Sequence, residues 1–288
     1  MIRRLLPLEV RLQLALGRRR LRDLALRPRF ATRHPAQAAF SAPWGAYELP
    51  LFDYPGQEAM GRAKRHNQAL VAARLHGVVI EPGETLSLWR LVGRPTGAKG
   101  FLPATALKDG RLTLEVGGAV CFLSTVLYNA ALLAGLTVVE RRAHSVDTYG
   151  EKRYFELGRD ATVEYGYVDL RFRNDHDVPL LLRLDAASDR VSVAILGPRP
   201  RDFDVEIVVS PAEFTPAPTV VQFDAALESG EEQRVIFAGY DGVRTTTRRV
   251  VRRAGETIRE DDLGPSVHHP EARILARGPV AGVHASVR

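Results

Sequence analysis

The chain has 288 residues, enough for one large domain or two ordinary ones, and its 45% hydrophobic and 26% charged content excludes disordered and fibrous classes. A single cysteine excludes a disulfide framework and any thiolate-rich metal site. The net charge of +6 is local: residues 1–33 hold ten arginines against Glu9 and Asp23, and the near-neutral remainder carries no specific nucleic-acid signal.

Residues 5–26 read as a leucine- and arginine-rich helix ending near Pro28. Glu9 and Arg11 break its apolar run and no small-residue cleavage site follows, so it does not read as a secretory signal. Its arginines cluster at Arg18-Arg19-Arg20, which favours a helix packing its leucines on the body. The sharper alternative is a helix lying on an anionic membrane surface. Residues 34–56, with Pro35, Pro43, Pro50 and Pro55, predict an irregular connection or edge strands.

From Gln57 a helical pattern runs to a stop at Gly77, followed by a strand Val78–Ile80, a turn at Pro82-Gly83 and a strand Thr85–Trp89. Further strands are expected at Arg111–Val116, Leu136–Glu140, Thr162–Arg173, Leu180–Leu184 and Val191–Leu196, with a helix from about Val120 to Ala134. The uncharged run Val116–Val139 reaches membrane-spanning length. Gly117, Gly118 and Gly135 punctuate it, however, so it reads as a buried helix, a stop and a strand. With neither signal nor span legible, a cytoplasmic or membrane-peripheral protein is expected. Beyond residue 200 come an alternating segment 203–209, then strand, turn and strand over Arg234–Phe237, Gly239–Gly242 and Val243–Val251. The expected fold class is α+β, a mixed or antiparallel sheet with a central cysteine-bearing helix, followed by a small all-β domain. Its divisions are residues 1–33, 34–56, 57–200 and 201–288.

Cys121 opens the expected helix directly after Gly117-Gly118-Ala119-Val120. Unpaired backbone N–H groups and the positive end of the helix dipole favour a thiolate there. The same N–H groups suit an oxyanion, as a cysteine acyl-transferase requires. A base is available in His144, 23 residues on, because a helix, a tight stop and a strand return the chain beside the helix start. Asp160 would orient the imidazole, with Asp147 as the weaker choice. The same cysteine also reads as a small buried hydrophobe. No histidine or acid spacing suits a metal, His268-His269 would point to opposite sides of a strand, and no cofactor is called for.

These residues resemble the VanW family, named for an accessory protein of glycopeptide resistance. The resemblance runs over about residues 57–198, in five ordered blocks. The first holds His66-Asn67 and Gly77-Val78-Val79-Ile80-Glu81-Pro82-Gly83-Glu84; the second is Val92-Gly93 with Gly100-Phe101. The third is Gly117-Gly118-Ala119-Val120-Cys121-Phe122-Leu123-Ser124-Thr125, similar to a family "G-G-G-x-C-Q-x-S-T" run. Glu140 to Ser145 and Gly158 to Asn174 complete it. Ala119 replaces a family glycine and Phe122 a family glutamine. The resemblance implies a cysteine-dependent L,D-transpeptidase acting on peptidoglycan or its precursor peptides, with Cys121, His144 and Asp160 catalytic. Gly117, Gly118, Ser124, Thr125, Arg142 and Arg159 are then the candidates to bind substrate. The alternative is a non-catalytic wall or resistance accessory. The C-terminal Gly239-Tyr240-Asp241-Gly242 and Thr245-Thr246-Thr247 resemble a G5-type module.

Overall fold

The computed structural model describes residues 6–32, 40–51, 56–108, 111–187, 189–224, 226–227 and 233–278. Residues 1–5 and 33 of the basic segment, and 34–39 and 52–55 of the expected connection, lie outside that set. The chain is mixed α and β, with sheets predominating. Its order begins α1 (Leu8–Leu26), β1 (Arg29–Phe30), β2 (Ala42–Pro50), α2 (Glu58–Leu75), β3 (Val79–Ile80), β4 (Glu84–Ser87) and α3 (Leu88–Val92). It continues through β5 (Pro103–Lys108), β6 (Arg111–Val116), α4 (Val120–Leu133), β7 (Thr137–Glu140), β8 (Arg171–Arg173), β9 (Leu180–Ala186) and β10 (Arg190–Gly197).

Two four-stranded sheets, β1-β4-β8-β7 and β2-β10-β9-β3, form the first region. Helix α4 packs against β2 and β10 while α2 packs against β9 and α4. Eleven of the fourteen residues of α4 are buried, because it is enclosed on every side. That enclosure explains the long uncharged run without any membrane. Among the described residues no helix is long and apolar enough to cross one. Gly45 in β2 permits the close approach: a Cβ there would lie 2.4 Å from the Ala130 carbonyl oxygen.

Two expected strands are shorter than their alternation suggests. The stretch expected as Thr85–Trp89 ends at Ser87, whose hydroxyl accepts from the Arg90 N–H at 3.3 Å and caps α3. Of Thr162–Arg173 only Arg171–Arg173 joins a sheet. Glu164 and Val168 instead close a tight turn in which Gly166 has φ +85°.

In α1 the expected packing is inverted. Only Leu12 is buried, while Leu8, Val10, Leu14, Leu21, Leu24 and Leu26 are exposed. Ion pairs hold the helix instead: Arg19 and Arg22 on Glu140 at 2.8 Å, Asp23 on Arg171 at 2.7 Å, and Glu9 on Arg94 at 3.0 Å.

The C-terminal region is all β: β11 (Asp204–Val209), β12 (Glu213–Thr215), β13 (Thr219–Phe223), β14 (Gln233–Phe237), β15 (Gly242–Arg253), β16 (Glu256–His268) and β17 (Arg273–Arg277). Strands β15 and β16 form a long hairpin turned by Ala254 and Gly255, both at positive φ. Arg249 of β15 is 1% exposed and donates to the carbonyls of Leu132 (3.2 Å) and Leu136 (2.7 Å), meeting Asp261 with its other nitrogens. This guanidinium ties β15 to the C-terminal end of α4 at Leu132 and to Leu136 just beyond it.

Candidate functional site

Sequence places Cys121 in the first turn of α4, and the local backbone fixes how it is presented. Gly117 adopts φ +85° and Ala119 φ +73° as the chain swings from β6 into the helix. A Cβ on Gly118 would stand 2.1 Å from the Ala104 carbonyl oxygen, so the hairpin β5–β6 admits only glycine there. Buried Asn67 of α2 donates to the carbonyls of Gly118 (3.0 Å) and Leu102 (2.8 Å) and accepts from the Leu102 N–H (2.9 Å), pinning the turn from below.

The structure places Cys121 and His144 on one groove and hydrogen-bonds His144 to Asp160. The His144 ring is near enough to the Cys121 thiol to act on it electrostatically, and its Nδ1 lies 2.7 Å from Asp160 Oδ2. Sγ also lies 3.5 Å from Thr162 Oγ1 and from the Val163 N–H and carbonyl. Asp160 is fully buried and saturated with donors: the His144 N–H at 2.7 Å, Arg141 at 3.0 Å and His268 Nε2 at 3.4 Å.

Burial raises the Cys121 thiol, but the hydrogen bond and charge of His144 outweigh it and the net direction is down. Burial likewise draws His144 down, against which Asp160 and Cys121 carry it up to about 10. Burial works against the Asp160 carboxylate, but His144, His268 and Arg141 hold it well below its ordinary range. The three directions agree: the Asp160 carboxylate favours a charged His144 ring, and that ring favours the Cys121 anion.

Cys121 is partly exposed and lines a groove of about 1070 Å³. The inner side of α1 forms one wall, and Thr105, Leu107 and Leu112 of the β5–β6 hairpin another. Phe122 also faces this space and stacks on Tyr154, ring centroids 4.8 Å apart. Cationic side chains, among them Arg18, Arg94, Arg142 and Lys152, outnumber the lining acids Glu115 and Glu164.

The residues expected to meet substrate divide. Gly117, Gly118 and Arg142 line the groove. Ser124 and Thr125 are buried: Ser124 donates to the Ala161 carbonyl at 2.7 Å, and Thr125 accepts from the Ala161 N–H at 3.1 Å. Arg159 reaches Asn129 Oδ1 at 2.7 Å and lies over the Tyr47 ring. These three stitch the Asp160 segment to α4 and sit away from the groove. Asp147 is likewise taken, by Arg153 and the N–H groups of Tyr149 and Gly150.

Sequence reasoning misses His268. It is the last residue of β16 and 2% exposed, while His269, just past the strand end, is exposed. The Ser145 carbonyl accepts from the His269 N–H at 2.6 Å, the Gly158 carbonyl from Thr247 at 3.0 Å, and Ser266 Oγ from Arg141 at 2.9 Å. The β15–β16 arm thus touches the segments bearing both His144 and Asp160. Among the described residues no group of three potential ligands suits a metal ion.

Residues 63–196 match the family described as VanW like protein, and residues 206–280 match the G5 domain family. The Bacillus subtilis relative "Uncharacterized protein YoaR" is 38% identical over 122 residues, 42% of this chain and 39% of that protein. The "Vancomycin B-type resistance protein VanW" of Enterococcus faecalis is 37% identical over 115 residues, 40% of this chain and 42% of the relative. The chain therefore spans about two fifths of the length of these curated relatives. Among solved structures, "Crystal structure of HP0197-G5" is 22% identical and covers 27% of this chain and 100% of that one, with a TM-score of 0.18. "IgA1 Protease G5 domain structure" is 17% identical and covers 28% and 95%, with a TM-score of 0.21. The chain thus carries a VanW-like domain over residues 63–196 followed by a G5 domain over residues 206–280.

Proposed function

We propose that this VanW-like chain is a cysteine-dependent acyl-transferase of the L,D-transpeptidase type, acting at the cell envelope on peptidoglycan stem peptides or their precursors. The observation that carries the reading is the line Cys121–His144–Asp160 at a groove. The cationic lining suits a peptide rich in carboxylates.

In this mechanism the Cys121 thiolate adds to the carbonyl carbon after a meso-diaminopimelate-type residue. The resulting oxyanion is held by the Val120 and Cys121 N–H groups of the first turn of α4, while that of Phe122 donates to the Ala119 carbonyl at 3.3 Å. His144 gives its proton to the departing nitrogen of the terminal D-alanine, leaving a thioester on Cys121. The amine of a second stem attacks that thioester and loses a proton to His144. A new amide bond forms and the thiolate returns. Asp160 keeps the imidazole in the tautomer whose Nε2 faces sulfur.

Incubating the chain with tetrapeptide stems is expected to add the mass of an acyl group lacking D-alanine, and Cys121→Ala is expected to add nothing. An intact mass that stays unchanged while the stems persist would overturn the reading. Phe122 favours a second one, a resistance accessory that binds wall peptide without turning it over. An alkylation rate at neutral pH no faster than that of free cysteine would select it.

A further inference from the structure

We infer that the outward face of α1 is a docking surface for an anionic lipid membrane. At about 100° of helix rotation per residue, Val10, Leu14, Gly17, Leu21 and Leu24 fall within one arc of about 80°. The four large side chains on it are 42%, 49%, 68% and 70% exposed. The opposite arc carries Leu12, Arg19 and Asp23, the residues that hold the helix to the body. A surface helix of a globular domain normally turns its apolar stripe inward. Here ion pairs and Leu12 claim the inner face, where Leu8 and Leu26 are exposed at its ends, and Val10, Leu21 and Leu24 are left facing outward.

The charges around the stripe identify what covers it. Arg18 borders one side, Arg20 and Arg27 the other; all three are exposed and have no carboxylate partner among the described residues. The acids of the helix, Glu9 and Asp23, are engaged by Arg94 and Arg171. The outward half is therefore apolar in the middle and cationic at both borders. A helix lying in an anionic interface has this pattern, with leucines entering the acyl boundary and guanidinium groups meeting lipid phosphates. A second copy packed face to face would set the same arginines against each other.

Arg11, Leu14 and Arg18 of this helix also line the groove that holds Cys121, so Leu14 and Arg18 stand where the stripe meets the groove mouth. Docking through the outward arc therefore sets the groove beside the lipid plane, within reach of a membrane-tethered anionic peptide. The surface goes beyond the acyl-transfer reading and stands without it, since Val10, Leu21 and Leu24 lie outside the groove.

The test is flotation of the full chain with vesicles of phosphatidylcholine alone and of an equimolar mixture with phosphatidylglycerol. Binding to the mixed vesicles is expected to be at least about tenfold tighter and to weaken with added salt. Joint Leu21→Ser and Leu24→Ser substitution, at exposed positions that leave the fold intact, is expected to lower that binding at least about tenfold. Joint Arg18→Gln, Arg20→Gln and Arg27→Gln substitution is expected to erase the preference for anionic lipid. Cys121→Ala is expected to float like the unaltered chain, which separates this result from the fate of the acyl-transfer reading. Failure to float with mixed vesicles would overturn the proposal, as would flotation indifferent to the leucine substitutions. A dimer dissolved by those substitutions, without vesicle binding, would assign the stripe to a second copy instead.

Discussion

One carboxylate oxygen of Asp160, Oδ2, lies 2.7 Å from both the ring Nδ1 and the backbone nitrogen of His144. The double grip fixes the ring's rotation and its tautomer together. Asp160→Asn keeps the shape and removes the charge that holds the imidazolium. The Cys121 thiol is then expected to titrate higher, which slows its alkylation at neutral pH. An unchanged pH profile of iodoacetamide alkylation would show that the carboxylate has no part in priming the thiol.

Stability should be level in the middle of the pH range and fall at both ends. Asp160, depressed in the folded chain, contributes above its unfolded value of about 3.9 and loses that contribution as pH drops below it. His144, raised to about 10, contributes fully below its unfolded value and loses that contribution as pH climbs toward about 10. The depressed thiol acts in the opposite sense until the unfolded cysteine also ionises, near 8.5. The two offset each other until then, so the alkaline decline should set in above about pH 9. Denaturant midpoints across pH check this, and His144→Gln should flatten the alkaline side.

Ala119 occupies φ +73°, where the family pattern has glycine. A side chain in the left-handed region costs roughly 1–2 kcal/mol, partly offset by the smaller entropy of the unfolded chain. Ala119→Gly is therefore expected to stabilise by roughly 0.5–1 kcal/mol, raising the melting temperature by about 2 °C. A lower melting temperature would mean that the alanine methyl makes a compensating contact.

His268 must donate from Nε2, because ionised Asp160 can only accept. His268→Leu removes that donor and the ring stacked on Phe155 at 6.0 Å. A loss of about 1–3 kcal/mol is expected in thermal melts. His268→Gln, whose amide can reach the same oxygen, should recover part of it. Equal losses for both variants would mean that ring packing, rather than the hydrogen bond, is what the site uses.

The approach of His144 to Cys121 is legible in sequence because it is local: a helix from Val120, a stop at Gly135 and a short strand return the chain to the helix start. The Asp160 pairing is legible for the same reason. His268 is not, since it arrives from another sheet 147 residues after the cysteine and only tertiary packing sets it there. The side of α1 that faces outward is equally hidden. Periodicity reveals one apolar stripe, while the partners that turn it away, Glu140, Arg171 and Arg94, lie in three remote segments. Ser124 and Thr125 look like site residues by adjacency to Cys121, yet helical spacing carries their hydroxyls toward Ala161.

Arg249 lashes β15 to the far end of the helix that carries Cys121 in its first turn, so the hairpin cannot peel away without stripping bonds from Leu132 and Leu136. Heat or denaturant should therefore melt both regions in a single cooperative step. A pull on the C-terminal strands would likewise be felt at the opposite end of α4.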